Sequence, residues 1–284
     1  MKIAFSPCPN DTFVFHAWVH GLLPGAPELD VMYADIDITN GLAAHGGGPE
    51  VMKISYAALP WALSEYALLP CGGALGRGCG PLVLSAGGVN AIKDPAALKG
   101  LKVAVPSERS TAYLLFRLWA AQHVPGGVGE IVILPFHEIM PAVRDGLVDA
   151  GLVIHEARFT YPNYGLNMLV DLGSWWEADT GLPIPLGAII AHRSLDLAAI
   201  SKWIRASVEY AWAHPEVSRD YVLSHSQELA PEVAQAHIDL YVNEFSADLG
   251  DDGYGAITAL LKRAAEVGLV PQMDWEALRL FKDV

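Results

Sequence analysis

Short apolar runs rich in β-branched residues alternate with amphipathic helical segments through the first two-thirds of the chain, and this alternation constrains the fold most. The runs read as strands over Lys2–Phe5, Leu29–Ala34, Val51–Ser55, Leu82–Ser85, Lys102–Val105, Ile131–Leu134, Gly151–Ile154 and Leu186–Ala191. Between them, Thr12–His20, Tyr56–Leu63, Thr111–Gln122 and Glu138–Asp145 carry the helical period. Parallel neighbours need a crossover, usually helical, so the pattern predicts an α/β fold on a largely parallel sheet. From about Leu195 onward the pattern is helical only, over Leu195–Ala213, Pro215–Ser224, Pro231–Asn243, Gly255–Val267 and Asp274–Phe281.

Two segments read as crossings between lobes. Gly72-Gly73-Ala74-Leu75-Gly76-Arg77-Gly78-Cys79-Gly80-Pro81 is too glycine-rich for an element of its own, and Gly181-Leu182-Pro183-Ile184-Pro185-Leu186-Gly187 likewise leads into a strand. They predict a discontinuous lobe, 1–89 plus 189–284 with the helical tail, and an inserted α/β lobe, 90–188. A two-lobed chain of this kind is expected to bind its ligand in a central cleft at the strand ends.

Composition narrows the partners. Hydrophobic residues make up 52% of the 284 residues, charged residues 18%, and mean hydropathy is +0.29. That is enough apolar material for a core and argues against disorder. The clean apolar stretches, such as Leu186 to Ala191, fall far short of the ~20 residues a membrane-spanning helix needs. Lys2–Phe5 breaks at Ser6-Pro7-Cys8-Pro9, a strand and turn rather than the apolar segment of a secretory signal. Cys8, Cys71 and Cys79 form no C-x-x-C pair, and an odd count fits reduced, buried thiols in a cytoplasm. The formal net charge of −14, with no Lys/Arg block, argues against a nucleic-acid partner and leaves a small anionic substrate open. No metal, nucleotide or flavin motif occurs, so no cofactor is expected.

Polar residues at strand ends are the candidates for chemistry. Asn10 and Asp11 follow the first strand, where they either cap the next helix or meet a ligand. Lys53 and Ser55 share one side of a strand by alternation, offering a cation and a hydroxyl; a solvated strand-end lysine is the alternative for Lys53. Ser107, Ser110 and Thr111 place three hydroxyls at a helix start, an anion site that needs no net positive charge. His155 ends the buried run Ala150–Ile154 and is the histidine whose position suits a general base; a structural histidine in a loop is the alternative.

Taken together, Ser6-Pro7-Cys8-Pro9-Asn10-Asp11-Thr12-Phe13, Lys53-Ile54-Ser55-Tyr56, Gly72 to Gly78, Ser110-Thr111-Ala112-Tyr113, Ala150 to Glu156, Arg158-Phe159-Thr160-Tyr161-Pro162 and Leu182 to Gly187 resemble one family. It is the 1,4-dihydroxy-6-naphthoate synthases, the cyclic dehypoxanthine futalosine lyases of the futalosine route to menaquinone. The resemblance implies a type II periplasmic-binding-protein-like fold. It also implies cleavage of cyclic dehypoxanthine futalosine to 1,4-dihydroxy-6-naphthoate and dihydroxyacetone without a cofactor. His155 would be the general base and Ser55 and Thr111 substrate contacts, with Lys53, Ile54 and Ser110 beside them. The chain has Ser110 where the family commonly has Thr, and His45-Gly46-Gly47-Gly48-Pro49 looks like a loop-length variation. The sister chorismate dehydratase, which should lack the His155 motif, and a non-catalytic solute-binding protein are the alternatives. Oligomeric state is left open.

Overall fold

The computed structural model describes residues 1–226 and 230–279. The end of the expected helix Asp274–Phe281 lies outside them. In chain order the elements begin β1 (Lys2–Phe5), α1 (Pro9–Val19), β2 (Asp30–Tyr33), α2 (Ile36–His45), β3 (Val51–Ser55), α3 (Leu59–Ala62), β4 (Tyr66–Leu68) and β5 (Ala74–Gly76). The middle of the chain supplies β6 (Leu82–Ala86), β7 (Val103–Val105), α4 (Thr111–His123), β8 (Ile131–Ile133), α5 (Phe136–Arg144), β9 (Ala150–Val153), α6 (Ala157–Thr160), β10 (Leu166–Asp171) and α7 (Leu172–Thr180). The return strand β11 (Ile184–His192) precedes α8 (Leu197–Ala213), α9 (Arg219–His225), α10 (Pro231–Tyr241), α11 (Glu244–Ala247) and α12 (Gly250–Glu266).

The chain divides into two compact units, Met1–Gly76 with Pro185–Val284, and Arg77–Ile184. The sequence pattern places the first boundary at residues 89/90. The division falls earlier because β6 pairs with β9 and β10, strands of the second unit. The glycine-rich segment also carries an element after all, since β5 pairs with β11.

In the first unit the strands run β2-β1-β3-β11-β4, with β5 also on β11. β1 is parallel to β2 and β3, while β11 is antiparallel to β3 and β4. Alternation sorts the strands onto two cores. Ile3, Phe5, Val51, Ile189 and Ala191 join Phe15, Trp18, Ile204 and Val208 on one face. Ala4, Met52, Ile54, Ala188 and Ile190 join Tyr56, Ile257 and Leu261 on the other. Strands buried on both faces are mostly apolar, which is why they read as near-continuous runs; β3 departs from this with buried Lys53 and Ser55.

The second unit has the order β10-β6-β9-β7-β8, with β7 parallel to β8 and β9 and the remaining pairs antiparallel. Leu82, Leu84, Ala104, Ile139, Val143 and Val153 form its core. The sequence pattern does not show β10, because its ladder shifts register between Met168 and Val170 and breaks the alternation. Nor does it show β4, three residues long, or the helices α2 and α7. His45 belongs to α2, which ends at Gly46 in the left-handed region (φ 65°), so part of that supposed loop variation is a helix end.

Two glycines in the second unit touch back to back. A Cβ on Gly80 would lie 2.0 Å from the Gly173 nitrogen, and one on Gly173 would lie 2.6 Å from the Gly80 nitrogen. Gly80→Ala should therefore lose about 1–3 kcal/mol of stability. Gly255→Ala, in the interior of α12 with nothing within 4 Å of the new methyl, should gain about 0.5–1 kcal/mol. Urea unfolding of both variants checks the contrast.

His16 on α1 stacks on His20 with ring centroids 4.3 Å apart and lies 5.4 Å from the Tyr221 ring. Burial first, and the neighbouring His20 second, pull His16 from 6.5 to about 4. The folded value lies below the unfolded one, so stability is fully present above pH 6.5 and falls as pH drops toward 4. Melting temperatures across that window should fall less steeply in His16→Gln than in the parent.

Candidate active site

The first unit gathers its polar candidates at the C-terminal ends of parallel β1 and β3. α1 begins at Pro9 with Cys8 at the capping position, so neither Asn10 nor Asp11 is the cap that the sequence suggests. Asp11 sits instead in the first turn, where a carboxylate faces the positive end of the helix. It accepts from the Ser6 hydroxyl at 2.7 Å, the Ser6 N–H at 3.3 Å and the Asn10 amide at 2.8 Å, and it forms an ion pair with Lys53. Lys53 and Asp11 are 4% and 2% exposed. The solvated-lysine alternative is thereby excluded.

The environment makes the pair feasible. Lys53 faces the β11 register at Ile189, and at Gly187 a Cβ would come within 2.8 Å of Lys53 Cε. Glycine there leaves room for the lysine stem. Because the Asn10 amide donates to the Asp11 carboxylate, Asn10 Oδ1 is the acceptor for His237 Nε2 at 3.1 Å, so that ring nitrogen carries a proton. Ser55, 2% exposed, is held by Asn40 of α2: the Asn40 amide donates to Ser55 Oγ at 2.9 Å and Asn40 Oδ1 accepts the Ser55 N–H at 2.7 Å. Ile54 alternates to the opposite face, where its side chain is wholly in the core.

In the second unit, Ser110 is a cap. Its hydroxyl accepts from the Tyr113 N–H at 3.1 Å and donates to the Ser107 carbonyl at 2.9 Å, while Ser107 Oγ accepts from the Arg109 N–H at 3.2 Å. Thr111 is the buried first residue of α4. Capping thus accounts for Ser110, and a local turn for Ser107.

His155 follows β9 after Ile154 and is half-buried. It is the one described non-glycine residue with a positive φ, 57°. A side chain in that region carries backbone strain and persists where surroundings fix it, a feature that clusters at functional sites. The ring meets the edge of Phe136 at 5.1 Å, interplanar angle 87°. The turn after it is anchored by Arg158, whose backbone N–H donates to the His155 carbonyl at 3.3 Å. The Arg158 guanidinium donates to the Gly80 carbonyl at 2.7 Å and pairs with Asp171 at 2.5 Å, and Asp171 caps α7.

Two of the thiols, Cys71 and Cys79, are poor nucleophiles. Cys8, Cys71 and Cys79 are buried and form no disulfide, and burial pushes Cys71 and Cys79 up to about 12. Ser6, Asn40 and His237 do not stand out as site residues in the sequence. His237 carries a usable signal, as a polar residue on the Ala234–His237–Ile238–Tyr241 stripe of α10; Asn40 carries none, since its helix is not legible there.

A family profile described as menaquinone biosynthesis matches residues 1–266. The chain belongs to the menaquinone biosynthesis family. A protein of Streptomyces coelicolor named 1,4-dihydroxy-6-naphtoate synthase is 66% identical over 281 residues, 98% of this chain and 97% of that protein. One of Thermus thermophilus with the same name is 47% identical over 272 residues, 95% of each. This menaquinone biosynthesis protein is accordingly an enzyme. A crystal structure from Archaeoglobus fulgidus is similar at TM-score 0.85 and 32% identity, covering 95% of this chain and 98% of that one. The periplasmic aliphatic sulphonate binding protein of Escherichia coli is similar at TM-score 0.70 and 16% identity, covering 100% of this chain and 92% of that one, and shows the fold alone. The fold of the enzyme is thus periplasmic-binding-protein-like, as the sequence resemblance implies. Among the described residues no helix is long and apolar enough to cross a membrane.

Removing one partner of a buried ion pair leaves the other charged in a dry site. Lys53→Met should cost this enzyme about 3–5 kcal/mol, and the Asp11→Asn/Lys53→Met double variant should lose less than the two single losses combined. Chemical unfolding of the three variants measures both.

Proposed function

We propose that this enzyme is a lyase that splits cyclic dehypoxanthine futalosine into 1,4-dihydroxy-6-naphthoate and dihydroxyacetone, with His155 as the general base. The observation that carries the reading is the left-handed backbone of His155 at the end of β9. A fixed imidazole is the group best suited to take a proton near neutral pH, and relatives covering nearly the whole chain bear the synthase name. Proton removal from the carbocyclic part of the substrate starts ring cleavage, and aromatisation of the naphthoate drives it. All substrate atoms appear in the two products, so the step calls for no co-reactant. A positioned base contributes about 10²–10⁴-fold.

The substrate contacts in this reading are Ser55 and Thr111, with Lys53, Ile54, Asn10, Asp11 and Ser110 beside them. Ser110 acts chiefly by fixing the start of α4, since its hydroxyl both donates and accepts within the protein. Ile54 contributes through its main chain. Asp11 and Asn10 hold Lys53 and the first turn of α1 in place. The small molecule is the partner, and the cytoplasm is the proposed compartment, in keeping with three buried cysteines that form no disulfide.

His155→Asn keeps a hydrogen-bonding side chain, tolerates the left-handed region and cannot take up a proton near neutral pH. Its turnover of cyclic dehypoxanthine futalosine should drop by at least about 10²-fold, while binding of 1,4-dihydroxy-6-naphthoate persists. In the parent, kcat/KM should fall on the acid side as the base protonates. A folded His155→Asn protein with parental turnover would remove His155 from the mechanism.

A further inference from the structure

We propose that Asn40 is a positioning residue that makes Ser55 a hydrogen-bond donor, so that Ser55 reads an acceptor oxygen on the substrate. The inference rests on the reading above that Ser55 contacts substrate, and adds which way its proton points.

The direction follows from one group that cannot change its role. The Ser55 backbone N–H can only donate, and it lies 2.7 Å from one terminal atom of the Asn40 amide. That atom must therefore be the oxygen, which settles the amide orientation that distances alone leave open. The other terminal atom, the NH₂, then faces Ser55 Oγ at 2.9 Å and can only donate to it. A serine hydroxyl has one proton and two lone pairs. With a lone pair occupied by the Asn40 amide, the Ser55 proton points away from Asn40 and is the group left to meet a ligand. Ser55 thus has its proton to offer the substrate, matching a carboxylate, carbonyl or hydroxyl oxygen.

Burial shows why the grip is firm. Asn40 is fully buried and Ser55 is 2% exposed. A buried carboxamide is costly unless its donors and acceptor are used, so the pair holds one geometry rather than several. Asn40 is supplied by α2, whose residues Thr39, Asn40 and Ala43 form its buried side, and Ser55 by the last position of β3. Asn40 does not itself need to touch the substrate.

The test is a cycle of Asn40→Asp and Ser55→Ala, read as KM and kcat for cyclic dehypoxanthine futalosine with thermal melts of each variant. Assayed at alkaline pH, where even a carboxyl raised by burial is ionised, Asn40→Asp keeps the acceptor for the backbone N–H but can only accept from the hydroxyl, turning the Ser55 proton inward. Ser55→Ala should raise KM by about two- to tenfold, the loss of one hydrogen bond. Asn40→Asp should raise KM by a similar factor with kcat little changed, and should add little in the Ser55→Ala background, where there is no proton to redirect. A role confined to stability would move the melts and leave that KM pattern absent. If Ser55→Ala raises KM but Asn40→Asp does not, or if the two effects multiply in full, the assignment of Asn40 is overturned. If Ser55→Ala leaves KM at the parental value, the reading of Ser55 as a substrate contact fails, and the inference with it. Should Asn40→Asp not fold, Asn40→Ala replaces it: a KM effect that vanishes in the Ser55→Ala background supports the proposal, and one that persists there overturns it.

Discussion

The ion pair between Lys53 and Asp11 locks the first turn of α1 onto the end of β3, beside the parallel pairing of β1 with β3. Lys53 is near the end of a strand buried on both sides, and its stem fits because Gly187 on the neighbouring strand has no Cβ. Asp11 is in the first turn of α1, and its remaining acceptor capacity is taken by Ser6 and Asn10. His237 then ties α10 to the same cluster through Asn10. Neither charge tolerates burial alone, so strand, helix turn and tail helix adopt one mutual arrangement in which the two charges are paired.

That arrangement leaves Ser55 at the end of β3 with a fixed backbone and, through Asn40, a fixed hydroxyl. In the second unit the logic differs. There a single side chain, His155, is held at φ 57° after a buried strand, and the turn that follows is moored by Arg158 to Gly80 and Asp171. The mooring depends on a close backbone approach between Gly80 and Gly173 that no larger residue allows. One unit stabilises charge and orients a hydroxyl; the other holds an imidazole in a conformation it would not choose by itself.

The likeness to a sulphonate binding protein at 16% identity shows how little the scaffold says about chemistry. The same architecture serves binding in one case and biosynthesis in the other, so the fold by itself does not set the chemistry. Strand ends are where open α/β sheets present side chains that the core does not need, which is why such scaffolds are reused.

The sequence by itself determined the strands of the two-sided cores, because burial on both faces demands uninterrupted apolar residues over Val51–Met52 or Leu82–Leu84. It also determined the family, through polar motifs clustered at strand ends. It could not show short or broken elements: β4 has three residues, β10 carries a register shift, and α2 ends in a glycine-rich stretch that reads as loop. Nor could it show partnerships between residues far apart in the chain. Lys53 reads as a free cation because Asp11 lies 42 residues away, and Asn10 gives no hint of His237, 227 residues away. Alternation assigns a side chain to a face, but only tertiary packing decides which polar group meets it there, since desolvation forces each buried donor and charge to find a partner wherever the fold supplies one.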